Sequence, residues 1–344
     1  MKTVTVNASR SYNILIGSGL LSQLGEQIAA LKGIKKICIV SETNVWPLYG
    51  KTVQDNLETA GFHVTTFVFP AGEESKNGIT YLELLNHLAT FQLTRSDLIV
   101  ALGGGVVGDL AGFAAATYLR GIRFIQVPTT LLAAVDSSVG GKTAIDLPAG
   151  KNLAGAFCQP SLVLCDTDTL NTLPTDIFRD GCAEVIKYGI LYDSALFYQL
   201  YRQGLEFDRE TVVARCVELK RDVVAQDEFD TGSRMKLNLG HTIGHGVEAG
   251  SHFTLSHGRS VAIGISIVSR ASHCPDSERI IGLLQQFGLP TAADADAETL
   301  FQYALSDKKR SGGTVNLIIP QKIGDCAIVP TPVEEILPFI EEGL

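Results

Sequence analysis

Three of the seven histidines lie close together in the chain, in a pattern that suits a metal ion. His241 and His245 are one helical turn apart in the segment HTIGH, so a helix would carry both imidazoles on one face. His257 follows after a turn, and Glu184 sits in the apolar segment CAEVIKYG. Imidazoles and a carboxylate are usual donors of a zinc site with an open position. The pattern therefore indicates a metal centre.

Histidines at this spacing also occur on helices that bind no metal. That alternative suits the pair His241 and His245 better than it suits the whole group with His257 and Glu184. A zinc protease is excluded, because the HExxH helix of such proteases contains a glutamate that HTIGH lacks.

A second group of residues suits a dinucleotide. Gly103, Gly105 and Gly108 form a GxGxxG pattern between a predicted strand and a predicted helix. Glycines there let backbone N–H groups approach a pyrophosphate at a helix N-terminus. The acidic residue expected about 20 residues later is missing, so the ribose ligand would come from elsewhere. Glu42 and Asn44 in SETNV are placed for that contact. The alternative is an ordinary tight turn.

Several cations lie in stretches of small and apolar residues. Lysine and arginine are seldom found in such surroundings unless an anion meets them. A snorkelling side chain explains any one of them, whereas a substrate with phosphate and carboxylate groups explains them together. These cations are Arg120, Lys142, Lys151, Lys187 and Arg234.

The elements that must position these residues alternate in the first part of the chain. Strand patterns cover 35–40, 63–69, 97–105 and 124–130, helical patterns cover 45–62, 78–93 and 106–120, and TVTVN with YNILIG predicts an added hairpin. This order predicts βαβ units and a parallel sheet, with ligands at the carboxyl ends of the strands.

Beyond the first half, the sequence is mainly helical in its periodicity, and two short strand patterns at 314–320 and 326–330 come last. We therefore predict an α/β protein. An N-terminal Rossmann-like parallel-sheet domain that binds NAD would span 1–165, and a mainly α-helical domain that binds metal and substrate would span 166–344.

The composition limits the function classes. A chain of 344 residues, 45% hydrophobic and 19% charged, is long enough for two cores. Its formal net charge of -9 argues against nucleic acid or a membrane as a partner. Seven scattered cysteines without a CxxC pair argue against a disulfide framework. The segment MKTVTVNASR lacks the apolar core of a signal peptide, so we expect a cytoplasmic protein.

In its longer motifs the chain resembles the 3-dehydroquinate synthases, a family of sugar-phosphate cyclases. The motifs occur in the family's order: 103–157, AEVIKYGIL (183–191), LNLGHTIGHGVE (237–248), SHGRSVAIG (256–264) and SDKKRSGGTVNLIIP (306–320). The resemblance implies a two-domain homodimer with tightly held NAD and one zinc or cobalt ion. The small-molecule substrate would be 3-deoxy-D-arabino-heptulosonate 7-phosphate. It would become 3-dehydroquinate and phosphate by transient oxidation with NAD, β-elimination, reduction, ring opening and aldol closure.

The resemblance also implies roles for residues at matching positions. The metal ligands would be Glu184, His241 and His257. His245 would take part in proton transfer instead, and the other catalytic residues would be Lys142, Lys187, Arg234 and Asn238. Arg120 would bind the phosphate, and the other substrate contacts would be Asp136, Lys151, Asn152, Lys220 and one or both of Lys308 and Lys309.

The NAD contacts implied in the same way come from four parts of the chain. They are Glu42, Asn44, Glu73, Lys76, Gly104, Gly105, Val106, Asp109, Thr129 and Thr130, together with Lys142 and Lys151. Two positions depart from the family's pattern: Glu42 replaces an expected aspartate, and Asp230 stands where glutamate is usual.

Three alternatives share parts of this pattern. A related cyclase such as a 2-deoxy-scyllo-inosose synthase would share nearly every motif, but His245 together with Lys151 and Asn152 favours the 3-dehydroquinate synthases. A metal-dependent polyol dehydrogenase gives no reason for the cations. An inactive NAD-binding protein would be expected to have lost a metal ligand.

Overall fold

A computed structural model of the chain describes residues 1–251, 254–306 and 313–344. The chain forms two compact units. Unit 1 consists of Met1–Leu173 and Arg209–Phe229, and unit 2 consists of Pro174–Asp208 and Asp230–Leu344. The sequence pattern predicts one boundary, at residue 165, and does not anticipate that Arg209–Phe229 returns to unit 1.

Unit 1 is built on strands, of which the first six along the chain match the predicted hairpin and alternation. The strands are β1 (Lys2–Val6), β2 (Tyr12–Gly17), β3 (Lys36–Glu42), β4 (His63–Phe69), β5 (Leu98–Gly103), β6 (Arg123–Pro128), β7 (Lys142–Leu147), β8 (Gly150–Phe157) and β9 (Leu162–Asp166). Seven of them form one sheet in the order β1-β2-β9-β6-β5-β3-β4. All neighbours in it pair in parallel except β1 and β2, which form the predicted hairpin.

The central strands of this sheet are apolar on both faces. In β3, Ile37 and Ile39 join one core while Cys38 and Val40 join the other, as the alternation of side chains in a strand requires. Helices α1 (Leu24–Ala29) and α2 (Lys51–Thr59) cover the first core, and α3 (Gly78–Thr90) and α4 (Gly105–Thr117) cover the second. The predicted α/β fold with a parallel sheet is confirmed.

The sequence pattern misses the strands between 142 and 166. Strands β7 and β8 form a separate antiparallel pair, and β9 lies between β2 and β6 in the main sheet. The segment GKNLAGAF of β8 is rich in glycine and alanine and partly exposed, so it carries little strand signal. Helix α7 (Arg209–Gln226) completes unit 1.

Unit 2 is mainly helical, as predicted. Its helices are α5 (Thr175–Tyr192), α6 (Ser194–Gln203), α8 (His241–Gly250), α9 (His257–Ala271), α10 (Ser277–Gln286), α11 (Ala297–Ser306) and α12 (Val333–Gly343). The two predicted strands are present as the antiparallel pair β10 (Thr314–Lys322) and β11 (Asp325–Pro332). The sequence pattern misses α6, α11 and α12. Within the described ranges, no helix is long and apolar enough to cross a membrane.

Helices α8 and α9 approach each other closely because glycines lie where they meet. A Cβ atom at Gly264 would overlap the carbonyl oxygen of Gly240, and one at Gly244 would lie 2.9 Å from the carbonyl oxygen of Ser260. The contact brings the first residue of α8, His241, near the first residue of α9, His257.

We expect Gly264→Ala to lower the free energy of unfolding by about 1–3 kcal/mol, because the added methyl group overlaps backbone that cannot swing away. Gly282→Ala is the matched control. Gly282 lies in α10 with no atom near its missing Cβ, so alanine there should stabilise the helix by up to about 1 kcal/mol. Urea titrations of both variants measure the difference. Equal stabilities would contradict the close packing of α8 on α9.

Candidate active site

Three side chains of unit 2 form a group that can hold a metal ion. One ligand atom each of Glu184, His241 and His257 lies within 4.8 Å of the others. The Nε2 atoms of both histidines are 3.5 Å from the same oxygen, Oε1 of Glu184. One carboxylate and two imidazoles, with room for further ligands, is the donor set of catalytic zinc sites. The residues therefore fit a zinc or cobalt ion.

The outer nitrogen of each imidazole also meets a protein group. Nδ1 of His241 lies 3.1 Å from the carbonyl oxygen of Leu239, and Nδ1 of His257 lies 3.7 Å from Oε2 of Glu248. Such contacts fix the ring orientation and leave Nε2 for a metal. Glu248 is buried and belongs to the same helix as His241.

The electrostatics of the group follow from burial and the carboxylates. Burial disfavours the charged form of His257, but its hydrogen bonds to Glu184 and Glu248 outweigh burial and raise the pKa to about 10. Burial and then the Lys187 ammonium lower the pKa of His241 well below its usual value. A cation that binds here must replace the proton of His257, so its affinity should weaken as the pH falls.

Other predicted residues of unit 2 lie on the same elements. Lys187 is buried and pairs with Glu184 one turn away on α5. Arg234, also buried, and Asn238 belong to a 3₁₀ turn, Ser233–Asn238, that leads into α8. The exposed His245 has its ring centroid 5.6 Å from that of His241 and 6.2 Å from that of His257. Asp230 adopts a positive φ of 57° just before this turn.

The glycine turn of unit 1 fits a dinucleotide. Strand β5 ends at Gly103, and α4 begins at Gly105 with no side chain capping its first turn. The backbone N–H of Thr129 donates to the carbonyl oxygen of Gly103, which places the end of β6 beside the turn. The buried Oγ1 of Thr129 has no hydrogen-bond partner among the described residues. An uncapped helix N-terminus beside an unused hydroxyl suits a pyrophosphate.

Lys76 is the centre of a charged cluster at the start of α4. Its Nζ lies 2.7 Å from Glu73, 3.3 Å from Asp109 and 3.8 Å from Asp146, and it donates to Oδ1 of Asn152 at 2.8 Å. Burial raises the pKa of Asp109 to about 6, although Lys76 opposes that shift. Four predicted residues, Glu73, Lys76, Asp109 and Asn152, therefore meet in space.

The remaining predicted residues of unit 1 fall into smaller groups. Lys220 of α7 pairs with Asp136, Nζ to Oδ1, at 3.0 Å. Glu42 ends β3 and accepts a hydrogen bond from the backbone N–H of Asn44 at 2.6 Å. Lys142 begins β7, and Lys151 lies in β8 beside Asn152.

Arg120 lies apart from the glycine turn. It is exposed, with a φ of 66°, in a turn that follows the C-terminal end of α4. The 13 residues of α4 span about 20 Å at 1.5 Å per residue. Arg120 therefore lies at the far end of α4 from the glycine turn and the Lys76 cluster.

Two predicted substrate-binding residues lie outside the described residues, and three residues near the site were not predicted by any sequence motif. Lys308 and Lys309 lie outside the described residues. The three residues that no motif predicted each contact the site or one of its helices. Asp146 accepts a hydrogen bond from the backbone of Asn152, Asp180 accepts one from the backbone of α9, and Glu248 contacts His257. A signal for Glu248 existed, because it lies two helical turns after His241 and so shares its face.

Comparisons with known proteins match nearly the whole chain. The family model described as 3-dehydroquinate synthase N-terminal matches residues 66–180, and the one described as 3-dehydroquinate synthase C-terminal matches residues 181–310. A 3-dehydroquinate synthase from Pelobacter propionicus is 48% identical, with 98% of each chain covered.

Two solved structures share the fold at lower identity. A 2-deoxy-scyllo-inosose synthase complexed with carbaglucose-6-phosphate, NAD+ and Co2+ is 26% identical, with a TM-score of 0.89 and complete coverage of both chains. The 2-epi-5-epi-valiolone synthase from Streptomyces hygroscopicus, with NAD+ and Zn2+ bound, is 26% identical, with a TM-score of 0.87 and coverage of 98% of this chain and 99% of that one.

The geometry predicts which histidines bind the metal. We expect His241→Ala and His257→Ala to abolish stoichiometric metal binding, because each removes one donor of the three. His245→Ala should keep the metal, since His245 lies beside the group without belonging to it. Metal analysis of the dialysed proteins checks this. Loss of metal in His245→Ala with retention in His257→Ala would show that the ligand assignment is wrong.

Proposed function

The chain belongs to the 3-dehydroquinate synthase family, and we propose that it acts as a phosphate-eliminating carbon–oxygen lyase on 3-deoxy-D-arabino-heptulosonate 7-phosphate. Its activity is that of a 3-dehydroquinate synthase, as the relatives that match nearly its full length indicate. The observation that carries the proposal is the convergence of Glu184, His241 and His257 in such a chain.

NAD and one divalent metal ion, zinc or cobalt, are the cofactors. When bound, the ion supplies a Lewis acid for a substrate oxygen and NAD supplies a reversible hydride acceptor. We assign the ion to Glu184, His241 and His257. The contacts of Leu239 and Glu248 with the outer ring nitrogens support this assignment, because they present both Nε2 atoms to one position.

The glycine turn and the Lys76 cluster bind NAD in this proposal. The first turn of α4 offers backbone N–H groups to the pyrophosphate, and Glu42 accepts hydrogen bonds from a ribose. Lys76 orients Asn152 and Asp109 at the edge of the same region. The residues assigned to NAD are Glu42, Asn44, Glu73, Lys76, Gly104, Gly105, Val106, Asp109, Thr129, Thr130, Lys142 and Lys151.

The cations bind and orient the anionic substrate. Charge-assisted hydrogen bonds from lysine and arginine to phosphate or carboxylate are strong and directional, and small errors in orientation slow a reaction severely. His245, exposed beside the metal group, accepts and returns a proton at a ring nitrogen. The residues assigned to substrate are Asp136, Lys142, Lys151, Asn152, Lys187, Lys220, Arg234 and Asn238, with Lys308 and Lys309 outside the described residues.

Arg120 is assigned to the substrate of a second copy of the chain. Its position at the far end of α4, about 20 Å from the glycine turn, rules out a contact with a ligand at that turn in its own chain. A homodimer in which each Arg120 reaches the partner's phosphate site reconciles that distance with the phosphate-binding role. The cytoplasm is the compartment that we propose for this enzyme.

The two enzyme alternatives explain fewer observations. A 2-deoxy-scyllo-inosose synthase shares the fold and the cofactors but is only 26% identical, whereas the relatives at 40–48% identity are 3-dehydroquinate synthases. A polyol dehydrogenase would not require the buried Lys187 and Arg234.

The reaction should be redox-neutral. The product differs from the substrate only by the loss of phosphoric acid, so each oxidation must be followed by a reduction. We expect one equivalent of NAD per enzyme to support many turnovers, with one phosphate released per 3-dehydroquinate and no NADH accumulating. Parallel assays of phosphate, product and absorbance of NADH measure this. Accumulation of NADH in proportion to the substrate consumed would show that the enzyme is a dehydrogenase and not a cyclase.

The assignment of Arg120 to a partner's site predicts complementation. Arg120→Ala and His241→Ala should each be inactive alone. Heterodimers of the two variants should regain activity, because one of their two sites has both residues. In a random mixture about half of the closed twofold dimers are heterodimers, so the mixture should show about a quarter of the wild-type rate. Differently tagged, co-expressed subunits allow the heterodimer to be purified and assayed. A verified heterodimer without activity would place Arg120 in its own chain's site, and activity in Arg120→Ala alone would place it outside the site.

A further inference from the structure

The metal group depends on where helix α9 begins. His257 is the first residue of α9, and the helix follows Ser256 as its N-cap. The first turn of a helix leaves backbone N–H groups without partners inside the helix, and helix ends fray when nothing else binds those groups. Any loosening of that turn would therefore displace a metal ligand at the first position.

Ser256 does not cap α9 in the usual way. Its side chain makes no cap hydrogen bond to the helix. The acceptor comes instead from α5, where Oδ1 of Asp180 accepts a hydrogen bond from the backbone N–H of Arg259 at 2.9 Å. The hydroxyl of Ser256 also donates to Oδ1 of Asp180. One carboxylate oxygen thus binds the N-cap residue and the third residue of α9.

Asp180 stands one helical turn before Glu184 on α5, so both side chains point to the same face of that helix. Gly258 allows α9 to come this close, because a Cβ there would overlap the carbonyl oxygen of Asp180. Helix α5 therefore supplies one metal ligand directly and, through Asp180, fixes the backbone that carries another.

The imidazole ring of His257 has little freedom to rotate. Glu248 contacts its Nδ1 from α8 and Glu184 contacts its Nε2 from α5, so the ring is bounded on both sides. What those contacts do not fix is the position of the backbone. We propose that Asp180 is a positioning residue of the metal centre, which holds the first turn of α9 so that the His257 imidazole faces Glu184. This inference rests on the metal site proposed above.

The test compares metal affinities of full-length variants freed of metal with a chelator. Asp180→Ala should bind Co2+ or Zn2+ about 10–100-fold more weakly than wild type, the range found when the supporting contacts of metal ligands are removed. Asp180→Asn should stay close to wild type, because its amide oxygen can still accept from Arg259. The absorption spectrum of bound Co2+ should shift in Asp180→Ala, since it reports the ligand geometry.

Asp176→Ala is the matched control. Asp176 lies on the same helix and pairs with the side chain of the same residue, Arg259, at 3.3 Å, but it does not touch the backbone of α9. Its metal affinity and cobalt spectrum should equal those of wild type. Should Asp180→Ala fail to fold, Ser256→Ala replaces it. Loss of that single hydroxyl contact should weaken metal binding by about threefold, in line with one hydrogen bond.

Thermal melting of the metal-free proteins separates positioning from plain stability. Asp180→Ala or Ser256→Ala with a lower Tm but unchanged metal affinity and cobalt spectrum would overturn the inference. A wild-type protein that binds neither Co2+ nor Zn2+ would instead overturn the metal site itself. Weaker binding in Asp180→Ala, rescued in Asp180→Asn and absent in Asp176→Ala, is the result that supports it.

Discussion

The buried carboxylate of Glu184 is the constraint on which the rest of unit 2 depends. Glu184 is 1% exposed. Removing an ion from water costs roughly several kcal/mol unless opposite charge lies close to it. Lys187 supplies one positive charge one turn away, and two imidazoles face the same carboxylate oxygen. Without metal, a protonated His257 also offsets the charge of Glu248 at its other ring nitrogen, and a divalent ion that replaces the proton offsets the charge of both carboxylates. The fold brings these groups together at a place where a cation is electrostatically favoured.

The N-termini of helices α8 and α9 disfavour a cation at this group. His241 and His257 are each the first residue of a helix, and a helix N-terminus carries positive partial charge that disfavours a cation. Carboxylates placed around the two N-termini compensate: Glu184 faces both rings, Glu248 meets the outer side of His257, and Asp180 binds the first turn of α9. The close packing of α8 on α9 at Gly264 and Gly244 allows the His241 and His257 rings to meet.

Elements with strong periodicity were predictable from the sequence, and the residues that merely support others were not. The strand at 63–69 and the mainly helical second half follow from apolar spacing, whereas β8 carries glycine and alanine and gives no such pattern. Motifs identify Glu184, His241 and His257 as a possible group. They do not identify Asp180, because its role depends on the packing of α5 against α9, which no local pattern encodes. The distance of Arg120 from the glycine turn likewise becomes visible only when α4 has a length and a direction.

The central claim is that Glu184, His241 and His257 hold a divalent cation, and anomalous X-ray diffraction tests it most directly. Crystals of the full-length protein grown with zinc and measured on both sides of the zinc absorption edge should show one strong anomalous peak. Nε2 of both histidines and a Glu184 oxygen should lie about 2.0–2.2 Å from it. No peak at this position, or a peak bound by His245 in place of His257, would contradict the account.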